Sequence, residues 1–462
     1  MALTHRPGRN AASLALALFA FLVVVPTPSL ALGEADSILK PLLPRLARAD
    51  KEVTVFRNVN VIPMDSARVL PHQTVVISGS RIAAFGPAAK TVIPSGARVI
   101  DGAGRYLIPG LVDMHFHLPS PGFDWTEVDA YLEFLVANGV TTVRSTIGAP
   151  DHPLVRQRVQ RNELLSPSLY LASPPISVKD TASAEEARRN ILHYRADGFD
   201  CIKFFHFADT TLFHAVTAAC REAWLPCFGH VDSTVGLAQA LRSMRSIEHL
   251  MPYLSSDGAA VPTLDADVAA TRAAGVWNCP TQFFYDVIYS NDLEGLVRRE
   301  GVAVMPEAVR EAWVAKKREF ILDPKTNRSR DPLETEARRS VIRALYKGGA
   351  ALLVGSDSPG RFRVPGYAVI EEMRSMRAAG LPAAAILAAA TRNAAACIDR
   401  ANEIGTIEIG KRADLVLLDA DPLEDIENVG RRSGVMLRGA WYSSKELEKT
   451  ARALASFLRP SP

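Results

Sequence analysis

Two textures of apolar and polar positions divide this chain. Over 52–104 short Val- and Ile-rich runs, "VTVFRNVNVIP", "HQTVVISGSRIAAFGP" and "ARVIDGAGRYLIPG", are broken by Gly- and Pro-containing turns. Such runs predict short strands joined by tight connections. The same texture returns over 405–446 in "IGTIEIGKRADLVLLDADP" and "GVMLRGAWYSS". Neither block is large enough to enclose a β core by itself. The two chain ends are therefore expected to meet in one small β-sandwich domain, preceded by a short helical lead-in from Ser37 to Asp50.

Between these blocks, over 105–404, strand and helix signals alternate. Eight apolar segments can be counted: "LIPGLVDMHFH", "GVTTVRST", "SLYLAS", "FDCIKFFHF", "PCFGHVD", "RSIEHL", "GVWNCPTQ" and "ALLVGSDSP". The intervals have helical composition. "SAEEARRNILHYRADG" opens with a Ser183/Glu186 capping box and closes at Gly198. Eight strand–helix repeats in about 300 residues predict an α/β fold, a (β/α)8 TIM-type barrel. The longest departure, 287–345, is charged and reads as helical, a candidate lid or entrance wall.

Ahead of both textures, His5, Arg6 and Arg9 precede an apolar stretch from Ala11 to Pro26 and a small-x-small pattern at Ser29 and Ala31. This is the layout of a secretory signal peptide over 1–31, and the stretch is shorter than the roughly 18 residues a spanning helix needs. The expectation is an exported, periplasmic or secreted protein with no membrane association after cleavage.

Composition adds exclusions. Hydrophobic content of 48% and charged content of 22% fit a globular chain. Of the formal +3 charge, Arg6 and Arg9 supply two, leaving 51 basic against 50 acidic residues. Such a balance gives no reason to expect nucleic acid as a partner. The sequence leaves a homo-oligomer open. Five cysteines are too few for a disulfide framework. Cys220 and Cys227 are close enough to bridge under oxidising conditions, while Cys201, Cys279 and Cys397 read as small buried apolar residues.

The chemistry lies at the ends of the central segments. Alternate strand residues share a face, so His115 and His117 can point to one centre. Lys203, His230, His249 and Asp357 occupy matching places in "CIKFF", "CFGHVD", "SIEHL" and "VGSDSP". Strand ends are where the active sites of such barrels sit. Taken singly, each has a plainer role: a satisfied core histidine, a lysine reaching the rim, an aspartate capping a helix. Together these plain roles require repeated coincidence. A lysine between Ile202 and Phe204 is also costly to bury as a cation.

The segments "PGLVDMHFHL", "CIKFF", "GHVD", "IEHL", "GSDSPG" and "TRNAAACIDRANEIGTIEIGKRADLVLLDADPL" resemble the amidohydrolase superfamily. The likeness runs from about residue 53 to 446 and is nearest to imidazolonepropionase-like and prolidase-like members. It implies two divalent ions, usually Zn²⁺. His115 and His117 would bind one with Asp357, His230 and His249 would bind the other, and a carboxylated Lys203 would bridge them. It also implies attack by a metal-bridging hydroxide, with Asp357 carrying the proton.

The expected activity is hydrolysis of an amide bond, in dipeptides or N-acyl amino acids. His206, Tyr285 and Arg361 are expected near the mouth. The competing readings are a lactone, ester or cyclic amide hydrolase with the same centre, and a non-catalytic exported metal- or ligand-binding protein.

Overall fold

A computed structural model describes residues 38–460 apart from 50, 121–124, 178–182, 207–208, 257 and 324–331; the expected signal peptide lies outside the described residues. In chain order the first strands are β1 (Val53–Val61), β2 (Leu70–Ser78), β3 (Arg81–Pro87), β4 (Arg98–Asp101) and β5 (Tyr106–Pro109). The middle of the chain supplies β6 (Leu111–Phe116), β7 (Val140–Ser145), β8 (Ser168–Leu171), β9 (Ile202–Phe204), β10 (Cys227–Gly229), β11 (Ser246–Glu248) and β12 (Trp277–Cys279). The last three are β13 (Leu415–Leu418), β14 (Arg432–Leu437) and β15 (Ala440–Ser443).

Both chain ends share one mixed sheet, ordered β15-β14-β13-β5-β1-β2-β3, with β4 alongside the first half of β1. Alternation along β13 explains its unbroken apolar run. Leu415 and Leu417 pack within the sheet domain, whereas Val416 and Leu418 face the large core of the molecule. The sheet also curls. Phe56 on β1 meets Trp441 on β15 edge-on at 5.3 Å, although four strand spacings in a flat sheet would part them by roughly 19 Å. Ile82 of β3 bonds to Lys411 and Gly410 just before β13. The expected sandwich is thus one hydrogen-bonded sheet folded over itself.

The apolar run from Tyr106 changes sheet at Gly110, not at residue 105. β5 pairs with β13 and β1, while β6 pairs with β7. A Cβ at Gly110 would lie 2.1 Å from Thr141 Oγ1, so the crossing requires glycine.

The central strands are parallel and form two ladders, β6-β7-β8 and β9-β10-β11-β12. Single bridges continue the order: Ala172 with Cys201, Asn278 with Leu352, and Ser358 with Phe116. The eighth segment, 351–358, contributes bridges where a regular strand was expected. Its backbone turns aside at Asp357, whose φ is +52°. The result is a TIM-barrel-like α/β fold with an extra β domain, and no continuous closed barrel sheet is formed among the described residues.

Helices fill the intervals. Ser183 Oγ accepts from Glu186 N at 3.2 Å to start Ala184–Ala196, and Gly198 in the left-handed region (φ +86°) follows its end. Ile202 and Phe204 pack outward against Ala187, Ile191, Phe213 and Val216 of these helices. By alternation Lys203 then faces inward.

The described residues of the 287–345 stretch are largely helical, as expected, but part of it belongs to the core. Val341, Ile342 and Leu345 of the helix Pro332–Lys347 are fully buried. All five cysteines are buried free thiols, so Cys220 and Cys227 do not bridge.

Candidate metal centre

Each candidate side chain is placed by the end of a central strand. His115 lies in β6 and His117 just beyond it; Lys203 is the middle residue of β9. His230 follows Gly229, where a Cβ would meet Phe204 O at 2.0 Å. Glycine there lets β9 and β10 approach closely enough to bring His230 beside Lys203. His249 and Asp357 have φ values of +66° and +52°, a region non-glycine residues rarely enter. Such conformations cost about 1–3 kcal/mol and persist where the surroundings hold them. Here His249 N donates to Cys279 O at 2.9 Å, and Asp357 N donates to His115 O at 2.7 Å.

These constraints bring the groups together. His117 Nε2 is 3.3 Å from Asp357 Oδ1 and His115 Nε2 is 4.0 Å from it. His249 Nδ1 is 3.8 Å from Asp357 Oδ2. The His249 ring centroid lies 4.7 Å from that of His115 and 4.6 Å from that of His230. Lys203, at 1% exposure, makes no ion pair among the described residues; its Nζ lies 5.3 Å over the Phe228 ring. His115, His117 and Asp357 converge closely enough to hold one cation.

The electrostatics favour a cation at this point. Burial, then the charge of Lys203, pulls His117 down to about 3. Burial likewise holds His115, His230 and His249 well below the usual imidazole range. All four are neutral, the form that binds metal. Burial lowers Lys203 to about 8 against the pull of Glu248 and Asp357. It raises Asp357 to about 6 against Arg363 and Lys203.

His230 supplies the fit test. Its Nδ1 is buried with no hydrogen-bond partner among the described residues. An orphaned imidazole nitrogen inside a cluster of neutral histidines and a carboxylate suits a divalent ion.

A supporting layer escaped the sequence reading. Glu248 accepts from His115 Nδ1 at 2.7 Å, and is itself held by Arg144 Nη2 at 2.7 Å and Ser246 Oγ at 2.6 Å. Asp113 accepts from His115 N at 3.0 Å and from Ser356 N and Oγ at 2.9 and 2.5 Å, lacing β6 to the last segment. Thr281 Oγ1 lies 2.7 Å from His249 Nδ1. Arg338 donates to His249 O and Pro280 O at 3.0 and 3.1 Å and stacks 3.2 Å over Tyr285. Glu248 and Arg144 could have been flagged by the logic that singled out Lys203, since both are charges inside apolar strands. Asp113, between Val112 and Met114 in β6, carried the same signal, whereas Arg338 carried none.

The mouth residues are placed unevenly. Tyr285 lies near His249, with ring centroids 6.3 Å apart, and His206 lies 5.3 Å from the His230 ring. Arg361 is exposed; the arginine beside Asp357 is Arg363, at 3.8 Å. The loop turns back through paired backbone bonds between Gly360 and Arg363, which points the later residue inward.

The chain is similar over 405 residues to the imidazolonepropionase of Symbiobacterium thermophilum, at 27% identity, covering 77% of this chain and 85% of that one. The imidazolonepropionase of Thermoanaerobacter pseudethanolicus is 24% identical over 387 residues, covering 78% and 87%. Adenine deaminase 3 of Rhizobium meliloti is 36% identical over 89 residues, and the chain spans only 14% of its length.

Among solved structures, a bottromycin amidohydrolase matches with TM-score 0.70 and 25% identity, covering 93% of this chain and 97% of that one. A Xaa-Pro dipeptidase with bound methionine matches in fold with TM-score 0.66 and 19% identity, covering 85% and 100%. The amidohydrolase family profile matches residues 106–441, a span that includes all six clustered side chains, and the chain therefore belongs to this family of enzymes.

Proposed function

We propose that the protein is a metal-dependent hydrolase that cleaves the amide (C–N) bond of dipeptides or N-acyl amino acids. The observation that carries this reading is the convergence of His115, His117 and Asp357 in a buried cluster of neutral imidazoles. His115, His117 and Asp357 would hold one divalent ion and His230 and His249 a second, with carboxylated Lys203 between them. When bound, the ions supply a polarised substrate carbonyl and an activated water near neutral pH.

The chain's own groups do the rest. Carboxylation would turn Lys203 from a costly buried cation into an anionic ligand. Asp357, between His117 and Arg363, is positioned to take the proton of the attacking water and return it to the leaving nitrogen. Glu248 and Thr281 hold the Nδ1 atoms of His115 and His249, so that Nε2 of each remains for the metal. Phe284 and Tyr285 place their rings beside His249, at centroid distances of 6.1 and 6.3 Å.

The Xaa-Pro dipeptidase among the structural neighbours supports the substrate class, and export would bring the enzyme to peptides before uptake. The test is elemental analysis of the chelator-free protein with a screen of dipeptides, N-acyl amino acids, cyclic amides and lactones. Close to two divalent ions per chain and amide turnover are expected. No bound ion after zinc and bicarbonate are supplied, or turnover confined to lactones, would overturn the reading.

A further inference from the structure

Three arginines surround the cluster, Arg144 and Arg338 buried and Arg363 with 14% of its side chain exposed, and their donors are used differently. Arg144 bonds to Met114 O, Ser246 Oγ and Glu248 at 2.8, 2.8 and 2.7 Å. Arg338 bonds to His249 O, Pro280 O and Gln282 Oε1 at 3.0, 3.1 and 3.1 Å. Arg363 makes no side-chain hydrogen bond among the described residues, and its buried Nη1 has no partner. Its nearest carboxylate oxygen, Asp357 Oδ2, is 3.8 Å away, beyond hydrogen-bond reach. A buried guanidinium nitrogen with no hydrogen-bond partner is unfavourable in isolation and favourable once a planar anion pairs with it.

The guanidinium is also held in place. It lies 4.4 Å over the Phe284 ring. Phe284 belongs to the helix Gln282–Tyr289, whose first amides donate to Glu372 at 2.9 and 2.6 Å. Below it, a Cβ at Gly360 would lie 2.1 Å from Arg363 Nη2, so glycine makes the space the guanidinium occupies. The backbones of Gly360 and Arg363 close a turn on each other at 2.8 and 3.2 Å. The fork is therefore preorganised close to the Asp357 carboxylate.

Resting on the hydrolase reading above, we propose that Arg363 determines specificity by binding the free α-carboxylate of the amino acid released from the substrate. Distance selects that group. Arg363 borders Asp357, the group assigned to the attacking water, so an anion bound to it belongs to the residue next to the scissile bond. The carboxylate of a C-terminal residue meets this requirement, and a more distant charge does not. With Asp357 committed to metal, the substrate carboxylate becomes the counter-ion of Arg363.

The metal-loaded full chain, with Arg363→Gln and Arg363→Lys, is assayed on a panel of N-acetyl amino acids and their C-terminal amides. Binding of the same compounds is followed by calorimetry, and metal content is measured for every variant. The native protein should favour the acids by about 30-fold in kcat/KM, the scale of a charge-assisted pair. Arg363→Gln should lose most of that preference through KM with its metals retained, and Arg363→Lys should recover part of it. Acids bound more tightly than amides, with no turnover of either, would refute the hydrolase reading and leave the carboxylate site standing. Equal treatment of acids and amides by the native protein, or an unchanged preference in metal-replete Arg363→Gln, would overturn the assignment of Arg363.

Discussion

His115 Nδ1 lies 2.7 Å from Glu248 Oε2, joining β6 to β11, the strand that His249 follows. The bond leaves Nε2 of His115 directed to Asp357, 4.0 Å away. A carboxylate behind a ligating imidazole sets its tautomer and orientation, and removing such a partner typically lowers metal affinity about 10- to 100-fold. Glu248→Gln should show a loss of that size in chelator competition. Its amide nitrogen would face either His115 or the donors Arg144 and Ser246, all of which the carboxylate now accepts. Native affinity in a folded Glu248→Gln protein would remove Glu248 from the site.

Lys203→Ala should lose metal as well as activity, because a methyl group cannot take the place of an anionic bridge. Short carboxylic acids such as acetate or propionate should restore part of both by entering the space. Labelled bicarbonate should give a carbamate resonance in the native protein that is absent from the variant. Full activity and full metal content in Lys203→Ala would contradict the assigned bridge.

Asp357→Asn is expected to fold, since asparagine tolerates the left-handed backbone at this position (φ +52°) as aspartate does. Its kcat should fall at least about 100-fold, the low end for loss of a general acid–base group. Metal content read alongside separates lost ligation from lost proton transfer. A metal-replete variant with native kcat would show that another group carries the proton.

A fourth expectation concerns stability. Arg45 Nη2 lies 2.6 Å from Glu446 Oε1, tying the helix Leu43–Ala49 to the helix Ser444–Ala455. That hydrogen bond is the main reason the Glu446 carboxyl falls from 4.5 to about 2. A depressed carboxyl stabilises the fold fully above its unfolded value and loses that contribution as pH drops through its folded value. The difference in denaturation midpoint between native protein and Glu446→Gln should therefore be present at pH 6 and shrink between about 4.5 and 2. Because the pair is partly exposed, the effect should be modest and reduced by salt. A gap independent of pH would assign the variant's loss to the helix cap at Ser443 instead.

Local order was largely legible along the chain. The run "LVDMHFH" alternates as a strand must, and its two histidines share a face in the structure for the reason alternation requires. Lys203 stood out because an apolar strand has no ordinary use for a cation, and its flanking Ile202 and Phe204 do turn to the helices. The Ser183 cap and the Gly198 stop rest on contacts within a few residues, which sequence spacing specifies directly. Arg361 was chosen over Arg363 because neither spacing nor residue type reveals which way a tight loop turns.

The sequence by itself determined most of the strand segments, which face of each is polar, and which six polar side chains stand at the central strand ends. Those properties follow from the twofold period of a strand and from the cost of burying charge. Only the tertiary structure decided that Tyr106–Pro109 leaves with the outer sheet, that this sheet curls until Phe56 meets Trp441, and that Glu248 and Arg144 stand behind His115. Each of these joins residues far apart in sequence. Their pairing is set by how whole layers pack, and no local pattern encodes it.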